Sequence, residues 1–306
     1  MKIKTVTVCG PTASGKTSLV VSLAKRLNAE IISADSIQIY KNIDIASAKP
    51  TTDEMQGIKH YLIDYVDPSE NYSVSRFIAD ANDAVDEIVN KGKMPIIVGG
   101  TGLYIDSFLN NVRLLDDGFD EKIRENIRFR MENEGIEALY SELHKIDPEA
   151  AKKIHPNNAV KIMRALEVYY SSGKTLTQQN EQSMKSESRF DNTTVFLNCE
   201  DRDYLYDRIN RRVDSMIDKG LVDEARRYFQ SGCSSTSSQA IGYKELKPYL
   251  DGKAGLGECI DNLKKATRNY AKRQLTWFRR NKNAHEFFID KYSSIKDLTD
   301  DVMKAI

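Results

Sequence analysis

Long apolar runs are missing from this chain. No stretch of about 18 hydrophobic residues occurs, so no segment is expected to cross a membrane as a helix. Cysteine is scarce and scattered: Cys9, Cys199, Cys233 and Cys259 form no Cys-x-x-Cys pair. That spacing argues against a zinc site or a disulfide framework, and for a reducing cytoplasm. Excess charge is missing too, with 45 Lys plus Arg against 45 Asp plus Glu. Any polyanionic partner must then be met by a local basic patch rather than by the overall field. Met1 to Thr5 leads straight into a strand pattern and has neither the apolar stretch nor the cleavage site of an export signal. No internal repeat is evident.

What is present is ordinary globular composition, 40% hydrophobic and 29% charged over 306 residues, enough for one large or two modest domains. Short β-rich runs at Thr5 to Cys9, Glu30 to Ala34 and Pro95 to Val98 alternate with helical patterns at Lys16 to Leu27 and Val74 to Lys91. This rhythm predicts an α/β fold with a mostly parallel sheet and flanking helices. From Phe119 to about Ser172 the pattern is helical and highly charged. Ser171 to Asn192 is polar enough to be an exposed helix or a loop, and Thr193 to Leu197 returns to strand chemistry. The expected organisation is a core of residues 1–111 and 193–306 interrupted by a helical insertion of residues 112–192. Beyond Arg202 the chain reads as almost entirely helical.

Gly10-Pro11-Thr12-Ala13-Ser14-Gly15-Lys16-Thr17 matches G-x-x-x-x-G-K-[ST], between a strand and a helix as that motif requires. Such a loop turns backbone N–H groups toward phosphate oxygens, and the helix N-terminus adds partial positive charge. Lys16 would reach the terminal phosphate, and the Thr17 hydroxyl suits Mg²⁺. A nucleotide hydrolase of this class usually carries an Asp at the end of a later strand. Here Pro95 to Val98 runs into Gly99-Gly100-Thr101-Gly102, with no carboxylate. The strand-end acid is instead Asp35, which could hold Mg²⁺, act as a general base, or simply cap a turn. Thr101 stands at the equivalent end of its own strand and has a similar plain reading as a turn residue.

Taken together, these segments resemble the bacterial tRNA dimethylallyltransferases, also called tRNA isopentenyltransferases. The matching stretches are GPTASGKT (Gly10 to Thr17), DSIQIY (Asp35 to Tyr40), DIASAKP (Asp44 to Pro50, usually DIGTAKP), DPSENYSVSRF (Asp67 to Phe77), VGGTGLY (Val98 to Tyr104) and TRNYAKRQLTWF (Thr267 to Phe278). RALEV (Arg164 to Val168) and AIGYKE (Ala240 to Glu245) add support. The resemblance implies a P-loop NTPase-like fold and transfer of a dimethylallyl group from its diphosphate to N6 of the adenine at position 37. That adenine adjoins the anticodon of tRNAs reading codons that start with U. It further implies that Gly10 to Thr17 and Arg212 hold the donor diphosphate, with Mg²⁺ on Thr17. Asp35 would be the general base and Thr101 would steady the leaving oxygen, while Ser36, Ile37 and Gln38 line the adenine's entry. The implied partners are dimethylallyl diphosphate and the tRNA anticodon stem-loop; a monomer is expected.

Two basic regions suit the RNA. Lys264 to Lys282 holds eight Lys and Arg residues and no acid, with Tyr270, Trp277 and Phe278 interleaved. On one helix Ala271, Leu275 and Phe278 would face the core, leaving Arg268, Lys272 and Arg279 as a stripe, with Arg273 close by. The second region lies in the insertion, at Lys152, Lys153, His155, Lys161 and Arg164, where the resemblance implies tRNA contacts from Val160, Lys161, Ile162, Met163 and Arg164, and from Arg124. There the family's Asp and Arg are replaced by Asn158 and Lys161, and lysine lacks the planar fork of arginine. His60 and Trp277 are read as structural. Three other readings remain: a prenyltransferase of free adenine nucleotides, a P-loop kinase of a small metabolite, and an RNA-binding protein without catalysis.

Overall fold

Parallel strands covered on both faces need apolar residues at nearly every position, and Ile3–Cys9 (β1) supplies five consecutive buried residues at its end. The structure, a computed structural model, describes residues 2–112, 121–183, 187–231, 234 and 237–306. Cys233 lies outside them. After β1 the chain forms α1 (Lys16–Leu27), β2 (Ala29–Ser33), α2 (Thr52–Met55), β3 (His60–Tyr61), α3 (Val74–Asn90), β4 (Met94–Gly99) and α4 (Gly102–Leu109). Helices α5 (Glu121–Ile146), α6 (Pro148–Lys153), α7 (Ala159–Ser172) and α8 (Leu176–Ser183) follow, then β5 (Phe190–Asn198). The last third is α9 (Arg202–Asp218), α10 (Leu221–Ser231), α11 (Tyr243–Leu250), α12 (Leu256–Phe278), β6 (His285–Phe288) and α13 (Ile295–Met303).

The six strands form one parallel sheet in the order β3-β2-β4-β1-β5-β6. Thus the α/β class holds. Two strands, β3 and β6, have no counterpart in the expected pattern. β3 has two residues and β6 four, too short to show a period, and β6 interrupts a region expected to be helical. β5 begins at Phe190 rather than Thr193, because Ile3, Lys4 and Thr5 pair with Phe190, Asp191 and Asn192. Asn192 is held there by the Thr5 and Thr7 hydroxyls, both donating to its Oδ1.

Contacts divide the chain into two units, Met1–Leu109 with Arg189–Ile306, and Asn110–Ser188. In the first, one core lies around Phe77, Phe108, Tyr40 and Tyr243, and another around Leu19, Leu23, Val8 and Ile209. The second unit packs α5 to α8 around Leu139, Leu143, Ile162 and Leu166. Gly135, at φ 80 and ψ 170, breaks α5 into two helical segments. Asp147 caps α6 through the Ala150 amide and also accepts from the Thr177 amide and hydroxyl. No helix among the described residues is long and apolar enough to cross a membrane.

Candidate active site

A cavity of about 780 Å³ opens in the first unit, lined by the phosphate loop, the segment after β2 and side chains from α9 and α12. Its floor follows from the backbone. Gly10 sits where a Cβ would come within 2.6 Å of the Leu197 carbonyl, and Gly15 has φ +88, a left-handed value that favours glycine. The loop therefore closes tightly onto β5 and opens into α1. Thr12, Ala13, Ser14, Gly15, Lys16 and Thr17 line the cavity. Gly10 and Pro11 lie behind, and their carbonyls accept hydrogen bonds from Lys16 Nζ at 2.9 and 2.7 Å. Ser14 Oγ is buried and bonded by no protein group, a donor suited to an anionic oxygen.

Electrostatics fit the same reading. Burial, with Arg212 beside it, pulls the Lys16 pKa down to about 8. Arg212 lines the cavity. Burial pushes its own pKa down, against the pull of Asp35 and Glu54, and a guanidinium stays charged even so. Two cations held together in a partly desolvated site repel one another, and a multivalent anion relieves that repulsion.

Asp35 lines the cavity and also makes the turn that follows β2. Its Oδ1 accepts from the Ile37 amide at 2.9 Å and the Gln38 amide at 3.3 Å. Oδ2 takes no part in that turn, so capping does not exclude a chemical role. Ser36, Ile37 and Gln38 line the cavity beside it. Gln38 accepts from Ser33 Oγ and donates to the carbonyls of Ser47 and Ala48. Thr101 is not on the cavity wall; its neighbour Gly100 is. Thr101 Oγ1 accepts from the Ser36 amide at 3.2 Å, tying the end of β4 to the segment after Asp35. Gly99 permits this closeness, because a Cβ there would meet the Ala34 carbonyl oxygen at 2.1 Å.

Three supports were not singled out from sequence. Gln274 on α12 accepts from the Thr12 amide and donates to the Gly100 carbonyl, so one side chain joins the phosphate loop to the β4 loop. Arg208 Nε donates to the Ala13 carbonyl at 2.8 Å. Tyr270 lines the cavity; burial and the nearby Asp35 push its hydroxyl pKa up. Helical spacing carried a signal for each. Arg208 and Arg212 share a face of α9, and Tyr270 and Gln274 share one of α12.

Other expected residues fall in varied places. Arg273 is exposed and lines the cavity. Lys272 is exposed, with Nζ 5.7 Å from the Tyr206 ring. Arg268 is half-buried and donates to Asn210 Oδ1 at 2.6 Å. Lys264 pairs with Asp214 of α9 at 2.6 Å, so the acid-free stretch is compensated from another helix at that point. Ala271 and Phe278 face the core as expected, and the half-buried Leu275 packs against it too.

In the second unit Val160 is 74% exposed and Lys161 is exposed. Ile162, by contrast, is fully buried in that unit's core. Its side chain holds α7 in place and cannot itself meet a partner. Met163 is half-buried in the same core. Arg124 and Arg164 both approach the Glu167 carboxylate. Asn158 caps α7, its Oδ1 accepting from the Lys161 amide, work that an aspartate does equally.

No group of three or more His, Cys, Asp or Glu suited to a metal occurs among the described residues. Mg²⁺ needs no such cage, since it commonly keeps waters and binds one or two protein oxygens plus phosphate. Thr17, on the cavity wall, is the protein oxygen such an ion would use.

The parallel sheet, the phosphate loop at a strand's carboxyl end and the cationic wall define a P-loop α/β protein built to hold a phosphorylated ligand beside an acid. A family model described as IPP transferase matches residues 38–281. The chain is 48% identical over 288 residues to a tRNA dimethylallyltransferase of Halalkalibacterium halodurans, covering 94% of this chain and 91% of that one. It is 47% identical over 275 residues to the tRNA dimethylallyltransferase of Bacillus subtilis, covering 90% and 87%. Among solved structures, a tRNA isopentenylpyrophosphate transferase from Bacillus halodurans matches with a TM-score of 0.72 at 44% identity, covering 99% and 97%. Crystallographic snapshots of a eukaryotic dimethylallyltransferase acting on tRNA match with a TM-score of 0.83 at 30% identity, covering 99% and 80%. The chain belongs to the IPP transferase family.

Proposed function

We propose that this protein transfers a dimethylallyl group from dimethylallyl diphosphate to N6 of adenine 37 in tRNAs that read codons starting with U. The observation that carries the reading is the pairing, in one cavity, of a phosphate loop with Asp35 and no acid at the end of β4. A phosphate cradle beside the acid that follows β2, with none at the end of β4, suits departure of diphosphate more than hydrolysis of a nucleotide.

The chemistry follows from the reactants. An adenine amine is a weak nucleophile because its lone pair is delocalised into the ring. An allylic diphosphate is a good electrophile because positive charge spreads over the allyl carbons. Charge therefore builds on the departing diphosphate, and a preorganised cationic cradle is the largest help available. The loop amides, Ser14 Oγ, Lys16 and Arg212 form that cradle. Thr17 would hold a Mg²⁺ ion, which would supply further positive charge at the leaving group. Asp35 Oδ2 receives the N6 proton as the carbon–nitrogen bond forms. Thr101 fixes the Ser36 amide next to that base, and this is the role we assign it.

The adenine must leave its stack to reach the cavity. Arg273 at the wall, with Lys272 and Arg268 on the same helix, provides the basic surface for the anticodon stem-loop. The helical unit contributes through Arg124, Val160, Lys161 and Arg164. Three buried free cysteines, Cys9, Cys199 and Cys259, fit a reducing compartment, in keeping with a cytoplasmic tRNA substrate.

The test is diphosphate release from dimethylallyl diphosphate and Mg²⁺ with and without unmodified tRNA. Release that depends on tRNA and matches the prenyl group found on RNA supports the proposal. Release without RNA-bound product contradicts it.

A further inference from the structure

Glu224, in the first turn of α10, is 4% exposed, and its carboxylate is satisfied by four neutral donors. Oε2 accepts from the amides of Asp44 and Ile45 at 2.9 and 2.7 Å, and Oε1 accepts from the Ala46 amide and the Tyr243 hydroxyl, both at 2.9 Å. The buried Tyr243 itself packs at a tilt against Tyr228, with ring centroids 4.4 Å apart. Residues 46–48 line the cavity. From the other side, Gln38 Nε2 donates to the carbonyls of Ser47 and Ala48. The segment's end is pinned by Lys49, which bonds both Asp44 and Asp64 at 2.6 Å.

This wall cannot serve the diphosphate. Its amides point at a carboxylate rather than into the cavity, its lysine is neutralised by two aspartates, and the buried charge behind it repels anions. It borders instead the Asp35 to Gln38 segment, through Gln38. We infer that Glu224 is a positioning residue for the acceptor. It fixes the loop of residues 44–48 as a preformed wall, so that a planar base meets Asp35 without the loop having to order first. The inference rests on the prenyl-transfer reading above. Preorganisation of this kind acts through productive acceptor binding and alignment, and leaves donor binding alone.

The test uses the full chain with Glu224→Ala and Glu224→Gln. A glutamine oxygen can serve two of the three amides but presents N–H to the remaining donors, so it is the milder change. Kinetics with unmodified tRNA, donor affinity by calorimetry and amide hydrogen exchange are measured in parallel. The expected result is a fall in kcat/KM for tRNA of about tenfold for Glu224→Gln and more for Glu224→Ala. Exchange should quicken at residues 44–46 but not in the phosphate loop, and the donor Kd should stay within about twofold. Wild-type tRNA kinetics in Glu224→Ala, or donor affinity falling in step with tRNA kinetics, would overturn the inference. If Glu224→Ala does not fold, Glu224→Gln decides by the same criteria. Failure of the wild-type protein to prenylate tRNA would instead overturn the function on which the inference rests.

Discussion

Gln274 accepts a hydrogen bond from the Thr12 amide at 2.8 Å, across 262 positions of sequence. The same side chain donates to the Gly100 carbonyl at 3.0 Å, and it is 5% exposed. One neutral amide therefore sets the spacing between the phosphate loop and the loop that carries Thr101. Only a group with both an acceptor and a donor can do this. Glutamate would lose the bond to Gly100 and add a negative charge beside the diphosphate. Gln274→Glu should lower turnover by roughly 10²-fold or more and weaken donor binding. Steady-state kinetics and donor titration check this; unchanged donor affinity in that variant would remove the clamp from the account.

In the proposed mechanism Asp35 does two jobs, which an asparagine separates. Asn at this position keeps an oxygen for the Ile37 and Gln38 amides, so the turn survives while the base is lost. Asp35→Asn should lose about 10²-fold or more in turnover with tRNA affinity retained. A tRNA binding assay beside single-turnover kinetics distinguishes the two quantities. Near-normal rates would take Asp35 out of the chemistry.

Lys16 makes donor binding depend on pH. Its pKa is held down near 8 by burial and by Arg212, and a bound diphosphate favours the charged form. Affinity should thus be flat below about pH 8 and fall as pH rises through it, by up to about tenfold per unit. Binding above that pH should draw a proton from solution onto the complex. Calorimetry in two buffers of different ionisation enthalpy measures this uptake; proton release on binding would contradict the assignment.

The basic surface of α12 divides into free and engaged cations. Lys272 and Arg273 are exposed, whereas Lys264 is paired with Asp214. Lys272→Ala or Arg273→Ala should weaken tRNA binding and reduce its logarithmic salt dependence by about 0.7–0.9 each. Lys264→Ala should do markedly less. Equal effects at all three positions would show that the ion pair does not decide which cation meets RNA.

The phosphate loop and the strand-end acid were legible because both are local. A glycine pattern and an acid after an apolar run declare themselves over a few residues, and α1 begins and ends where its sequence pattern does. The partners of the site were not legible, because Gln274, Arg208 and Glu224 act on backbone groups far away in sequence. β3 and β6 failed for a different reason, being edge strands too short to show alternation. The insertion shows how a pattern can mislead. Asn158 reads as a departure from the family's Asp, yet it caps α7 as Asp would. Ile162 lies within a stretch expected to meet RNA, yet the helical period turns it into the core.

The central claim is the acceptor. Unmodified tRNA, AMP and ATP should each be incubated with the protein, Mg²⁺ and dimethylallyl diphosphate, and their adenosines analysed by mass spectrometry after digestion. The account predicts a gain of one dimethylallyl group on the adenosine beside the anticodon, and none on the free nucleotides. Prenylated AMP or ATP with unaltered tRNA, or no prenylated product in any tube, would contradict it.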